Sequence, residues 1–104
     1  MKLPPIPGDE GKRLRELRSF GVLDTPPESQ YDDLVNLAAQ ICEAPVALIS
    51  LVDENRQWFK ARKGLEVEQT DRDIAFCAHA IAQPQTLIVE DTLKDGRFVD
   101  NPLV

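Results

Sequence analysis

Apolar residues recur at helical spacing near the start of the chain. Residues 9–22 carry Leu14, Leu17 and Phe20 among basic side chains, which predicts a modest amphipathic N-terminal helix. The preceding residues 1–8 are rich in proline and predict a flexible lead. Residues 1–19 hold five basic and three acidic side chains, so this helix is the basic end of an otherwise acidic chain.

A second helix is predicted from the segment LDTPPESQYDDL. Thr25 can cap the helix, Pro26 suits its first position, and Glu28 completes a capping box three residues after Thr25. Pro45 is expected to end it. One apolar stripe of this helix is expected to face the core, with Cys42 as a small hydrophobic member. The stripe comprises Tyr31, Leu34, Val35, Ala38, Ile41 and Cys42.

Two strands are predicted next, joined by a polar turn over residues 53–56. Residues 46–52 are apolar on both faces, which is typical of a central strand. The following strand alternates less regularly around Trp58 and Phe59, and we expect it to lie nearer an edge with Trp58 in the core or an interface.

The second half of the chain predicts shorter elements. Residues 64–73 form a polar connector, and Thr70 or Asp73 can cap a short helix over 75–83 that Pro84 ends. Residues 85–91 (QTLIVED) are expected to form a short buried strand, followed by a turn-rich tail. Three strands are few for a mixed sheet, so the chain looks unfinished.

Composition narrows the class of protein. A chain of 104 residues with 42% hydrophobic and 29% charged residues is expected to form one globular domain. Its net charge of -6 opposes binding to nucleic acid. The longest apolar run, residues 44–52, is too short to cross a bilayer, so no direct membrane insertion is expected. Without a secretory signal, a cytoplasmic location with reduced thiols is predicted.

Cys77 and the only histidine, His79, are the residues with the most reactive chemistry. On a regular helix, side chains two positions apart point about 200° away from each other, which opposes a shared metal or a catalytic dyad. Scattered carboxylates occupy cap and turn positions, and the sequence contains no phosphate-binding loop or hydrolase motif. The residues therefore predict neither a metal site nor a catalytic site.

The segments LDTPPE, ISLVDENRQWFK, FCAHAI and DGRFVDNPLV closely resemble the GAF domain found at the N-terminus of many bacterial signalling proteins. The resemblance covers the chain from about Glu10 onward. It implies an α+β, GAF-like (PAS/profilin-like) fold, with a central antiparallel sheet and helices on both faces. It also implies a single domain over 1–104 whose last strands are missing, which would leave a sheet edge exposed for homodimer formation.

The resemblance also implies a function and a site. Such domains are non-catalytic sensors that bind a small molecule and act on a histidine kinase, a diguanylate cyclase or a cyclic-dinucleotide phosphodiesterase. The ligand and any cofactor stay unknown. By position, the ligand cavity would be lined by Asp73, Ile74, Phe76, Cys77, His79 and Asp91.

Two other interpretations stay open. The first is a thiol-based redox enzyme or sensor centred on Cys77, similar to the free methionine sulfoxide reductases. The catalytic cysteine of that family would fall near Val99 or Asp100, where this chain has none. The second is a dimerisation module in which the basic first helix pairs with its mate and no ligand binds.

Overall fold

A computed structural model describes residues 2–104. Three α-helices and three strands form an α+β fold, which confirms the predicted class. The elements are α1 (Glu10–Ser19), α2 (Ser29–Cys42), β1 (Ala47–Val52), β2 (Arg56–Lys63), β3 (Gln69–Asp71) and α3 (Phe76–Ala80). Two short 3-10 turns lie at Arg72–Ile74 and Thr92–Lys94. The first helix is shorter than the predicted 9–22, and residues 2–7 have no regular structure although Pro4 is buried.

The sheet is antiparallel with the strand order β1-β2-β3, so the prediction that the first strand is central is wrong. The centre is β2, because residues 69–71 of the predicted polar connector pair with Arg56–Trp58 as β3. A three-residue polar strand has no hydrophobic pattern, and for that reason the sequence did not reveal it. β1 contacts both α2 and α3, which is consistent with its apolar sequence.

A β-bulge at Lys60 explains why the second strand does not alternate cleanly. Ile49 pairs with Ala61, and the next residue, Ser50, pairs with Phe59, which leaves Lys60 as the extra residue of β2. Such a bulge turns one side chain away from the regular alternation. Lys60 is consequently buried, at 4% exposure, on the side of the sheet where α2 begins.

The predicted capping box at the start of α2 is wrong. The helix begins at Ser29, and no side chain caps its first turn. Thr25 instead accepts a hydrogen bond from Lys60 Nζ at 2.7 Å, and Glu28 forms an ion pair with the same ammonium group at 2.7 Å. The Pro26 carbonyl is a third acceptor at 2.8 Å. Thr25 and Glu28, the two residues of the predicted capping box, therefore bind the buried Lys60 instead of the backbone of α2.

The buried face of α2 overlaps the predicted stripe only in part: Val35 is buried and Tyr31 is half-buried as predicted. Val35 and Ala39 are the buried positions, at 3% and 5% exposure, whereas Leu34 and Ile41 are exposed. Cys42 is exposed as well, so its assignment to the core is wrong. The apolar arc of this helix is wider than the three-stranded sheet can cover. The prediction that Trp58 belongs to the core is confirmed, since it is 7% exposed.

Residues 85–91 do not form the predicted strand. This segment is irregular, and Ile88 is 75% exposed. A strand needs a neighbour for its backbone hydrogen bonds, and this segment pairs with none of the three strands. The preceding helix α3 ends at Ala80, and its first turn follows Ala75 rather than a capping Thr70 or Asp73.

Gly64 fixes the place where β2 leaves the sheet. Its φ is +79°, and a Cβ atom there would lie 2.0 Å from the Pro45 carbonyl oxygen, which is a steric clash. We expect Gly64→Ala to lower the free energy of unfolding by more than about 2 kcal/mol in urea titrations. Gly96→Ala is the matched control, because that site is open. Equal stability of the two variants would contradict this account of the β2 end.

Candidate functional site

An apolar groove is lined by residues of α1, β1 and α3, together with Lys60 of β2 and the chain around the start of α2. Its volume is about 930 Å³, which lies in the usual range for small-molecule sites. Apolar residues of all three elements line its walls. These are Leu17 and Phe20 before and after the end of α1, Ile49 and Leu51 from β1, and Ala80 and Ile81 at the end of α3.

Most of the polar groups in this groove are already engaged by the protein. Arg13 Nη1 donates a hydrogen bond to the Val52 carbonyl, and Ser50 Oγ donates to Gln57 at 3.1 Å. Lys60 binds Glu28 as described above. A ligand would therefore meet a mostly apolar surface whose charges are neutralised. A second cavity, of about 550 Å³, lies between α2 and β2 and is lined mainly by polar side chains.

Of the six residues predicted to line a ligand cavity, Cys77 is the one that lies in this groove. Its side chain is half-buried and packs against a small cluster formed by Val52, Ala75 and Ala78. This cluster attaches α3 to the end of β1. The thiol is free, and its position allows contact with a bound molecule.

Three others of the predicted residues hold the C-terminal tail. The Phe76 and Phe98 rings lie 4.4 Å apart, and His79 meets the Phe98 ring edge-on at 5.0 Å. Asn101 Nδ2 donates a hydrogen bond to the Ile74 carbonyl at 3.0 Å. Phe98 is fully buried. These contacts fasten the tail to the side of α3 that faces away from the groove.

The last two predicted residues are exposed. Asp73 lies in the 3-10 turn Arg72–Ile74. Asp91 accepts a hydrogen bond from the Leu93 backbone at 3.0 Å and starts the next 3-10 turn. The six residues are therefore distributed over the groove, the tail contact and two turns. Sequence adjacency grouped them, but successive residues of a helix point in different directions.

His79 lies in a small cleft of about 290 Å³ between α3 and the start of the chain. Burial lowers the pKa of its imidazole, and the charge of Arg97 acts in the same direction. A hydrogen bond to the Lys2 backbone and the charge of Asp95 oppose the shift. Asp95 pairs with Arg97 at 2.6 Å, and this pair holds the pKa of Asp95 at about 2.

The structure separates the surroundings of Cys77 and His79, as their spacing predicts. Cys77 faces the Val52 cluster and the groove, whereas His79 faces Phe98 and the start of the chain. Within residues 2–104 no group of three His, Cys, Asp or Glu side chains is close enough to hold a metal ion.

An ion-pair cluster that sequence reasoning missed fixes α1 beside the groove. We call it the Glu10 clamp; it comprises Glu10, Arg13 and Arg72. Arg13 donates to both Glu10 carboxylate oxygens at 2.8 and 3.0 Å, and Arg72 binds the same carboxylate from the opposite side. Arg72 is 5% exposed and also donates to the Asp53 carbonyl at 3.1 Å. The two arginines lower the pKa of Glu10 to about 2.

The fold agrees with the comparison to known families. The GAF domain family matches residues 26–104. This chain therefore belongs to the GAF domain family.

One curated relative is the cyclic di-GMP phosphodiesterase PA2567 of Pseudomonas aeruginosa. It is 38% identical over 104 residues, which is all of this chain and 18% of that protein. The chain thus spans less than a fifth of this relative's length. No helix among residues 2–104 combines the length and the hydrophobicity that a bilayer crossing requires.

We expect Glu10→Gln to weaken the Glu10 clamp. Because the folded pKa is about 2 and the ordinary value is 4.5, the clamp stabilises the fold fully above about pH 4.5 and less as the pH falls toward 2. The loss near pH 7 should reach at most about 3 kcal/mol in urea titrations. The difference between variant and parent should shrink as the pH falls.

Glu16→Gln is the control for this prediction. Glu16 is exposed on the same helix and lies 3.9 Å from Lys12, so its removal should cost less than about 0.5 kcal/mol. A Glu10→Gln variant as stable as Glu16→Gln near pH 7 would contradict the assigned role of the clamp.

Proposed function

We propose that this chain is a non-catalytic sensory domain that binds a small molecule in the groove beside β1 and regulates an output domain. The supporting observation is the groove itself, which is about 930 Å³ in volume and is walled by α1, β1 and α3. Its apolar lining suits a ligand with a largely apolar body. Regulatory ligand binding is common among GAF domains, which supports the same proposal.

Arg13 offers a route from the groove to α1. Its guanidinium lines the groove, donates to the Val52 carbonyl and belongs to the Glu10 clamp. A ligand that contacts Arg13 would therefore change the contacts that position α1. Such a switch requires that the ligand bind two arrangements of α1 with different affinities.

The six residues predicted from sequence take two roles in this proposal. Cys77 contacts the ligand, because it lies in the groove. Ile74, Phe76 and His79 keep α3 in place through the tail contacts. Asp73 and Asp91 are exposed and lie outside the groove lining, so direct ligand contact by these carboxylates would require a ligand that extends beyond the groove.

The proposed output is a signalling domain such as a histidine kinase, a diguanylate cyclase or a cyclic di-GMP phosphodiesterase. The relative with 38% identity is named as a phosphodiesterase of this last class. We further propose that the domain works in the cytoplasm, forms a homodimer and does not bind nucleic acid, in keeping with its net charge of -6.

Filling the groove should abolish small-molecule binding. The probe is 1-anilinonaphthalene-8-sulfonate, an apolar fluorophore with one anionic group, titrated by fluorescence. We expect the parent to bind one equivalent, and Ala80→Trp or Leu17→Trp to weaken binding more than about tenfold, because each indole would occupy the groove from a different wall. Ile88→Trp, at a site that is 75% exposed, is the control.

The same proteins should be examined by native mass spectrometry and absorption spectroscopy after purification without added ligand. A small molecule that copurifies with the parent and with Ile88→Trp, but with neither groove variant, would support the site and give its mass. Equal dye binding by all four folded proteins would overturn the groove as the ligand site.

The redox alternative centred on Cys77 makes a different prediction. Cys77 is half-buried, whereas Cys42 is exposed, and a thiol's reactivity depends on its access to solvent. In thiol titration we expect one fast and one slow reaction, with Cys42→Ser removing the fast one. We expect no methionine sulfoxide reduction by the parent or by Cys77→Ser. Turnover that disappears in Cys77→Ser would favour the redox enzyme.

A further inference from the structure

Lys60 brings a buried positive charge to the wall of the apolar groove. Its side chain is 2% exposed, and Lys60 and Arg13 are the cationic residues of the groove lining among residues 2–104. A buried ammonium group is costly unless a negative charge and hydrogen-bond acceptors stay beside it. Any molecule that occupies this part of the groove must therefore leave Lys60 with an anionic partner.

Three acceptors share the Lys60 ammonium group, and one of them is charged. Thr25 Oγ1 and the Pro26 carbonyl lie 2.7 and 2.8 Å from Nζ, and the Glu28 carboxylate lies 2.7 Å from it. The Tyr31 ring, 5.7 Å from Nζ, adds a cation–π contact. Because an ammonium group has three protons, a further acceptor can bind it when one of these three leaves.

Glu28 is the acceptor that a ligand can replace. Its side chain is 51% exposed, and its one ion pair among residues 2–104 is the pair with Lys60. Rotation of this side chain into solvent frees Nζ, whereas release of the Pro26 carbonyl requires the backbone to move. Glu28 lines the groove and does not line the polar cavity between α2 and β2. An acid in the place of Glu28 would therefore belong to a molecule in the groove.

The counter-ion of Arg13 is fixed, by contrast. The Glu10 side chain is 19% exposed and also binds Arg72, which is 5% exposed. Its release would remove the carboxylate from two arginines at once, one of them buried. The exchangeable anionic position of the groove is therefore the one beside Lys60.

We propose that the groove selects a monocarboxylic acid with an apolar body, whose carboxylate takes the place of Glu28 beside Lys60. This inference rests on the proposed ligand groove and names the chemical class of its ligand. Exchange of one carboxylate for another keeps the ammonium group neutralised, whereas an uncharged ligand gains no ion pair there. The apolar body adds affinity by covering the apolar walls of the groove, such as Leu17 and Ile49.

The site matches a single negative charge. A phosphate monoester carries nearly two negative charges and would bring both to one ammonium group. The net charge of the chain is already -6, and Glu16 is a second acidic residue of the groove lining. The excess charge of a phosphate would therefore be repelled, while a carboxylate leaves the local charge as it is with Glu28 in place.

Three ligands with the same apolar chain test this inference: decanoate, decan-1-ol and decyl phosphate. Each is used at about pH 8, where the phosphate is doubly ionised, to displace 1-anilinonaphthalene-8-sulfonate from the protein. We expect decanoate to displace the dye from the parent at a concentration at least about tenfold lower than either of the other two compounds.

Glu28→Gln should strengthen decanoate binding at least about threefold and leave decan-1-ol binding unchanged, because the uncharged amide competes less for Lys60. Glu66→Gln is the matched control, since it removes an exposed carboxylate outside the groove lining. Lys60→Met keeps a side chain of similar length without its charge, and it should reduce decanoate binding to the level of decan-1-ol. If Lys60→Met does not fold, the comparison of Glu28→Gln with Glu66→Gln decides the question.

The outcomes separate this inference from the groove itself. Equal displacement by decanoate and decan-1-ol, unchanged in Glu28→Gln, would overturn the carboxylate site and keep the groove. Stronger binding of decyl phosphate than of decanoate would overturn the match to a single charge. No displacement by decanoate would also overturn the inference, and the groove would fall with it if Leu17→Trp binds the dye as tightly as the parent.

Discussion

The position of α1 depends on one carboxylate held between two arginines. Leu14 is the buried apolar residue of this helix, so hydrophobic packing contributes little to its docking. Glu10 instead joins Arg13 of its own helix to Arg72, which lies 62 residues further along the chain. Arg72 is nearly fully buried, and its Nε lacks an acceptor among residues 2–104. A buried arginine that lost Glu10 would be costly, so the clamp determines where one wall of the groove lies.

Lys60 also lines the groove, and its ion pair and hydrogen bonds fix a second part of the wall. The bulge in β2 directs its side chain to Thr25 and Glu28, and the ammonium group also lies 5.7 Å from the Tyr31 ring. These contacts fix the chain where it enters α2. Arg13 of the Glu10 clamp and the buried Lys60 both line the groove, and each is neutralised by a carboxylate. The electrostatic contacts set its shape, and its lining is left free for an uncharged molecular surface.

The parts that could be predicted from sequence are those with local patterns. β1, the turn over residues 53–56, β2 and the short helix around Cys77 all follow from hydrophobic periodicity and turn residues. The strand order, the Lys60 bulge and the Glu10 clamp could not be predicted, because each depends on partners far apart in sequence. The sequence contains a capping-box signature at Thr25 and Glu28. In the structure both side chains bind Lys60 instead of the first turn of α2.

The groove is concave and bounded on two sides by helices, which suits a small molecule that can be surrounded. α2 packs on the sheet through Val35 and Ala39, and Tyr31 in its first turn lines the groove. The groove and the sheet-facing side of α2 therefore meet where the chain enters this helix, at the contacts that Lys60 makes with Thr25 and Glu28.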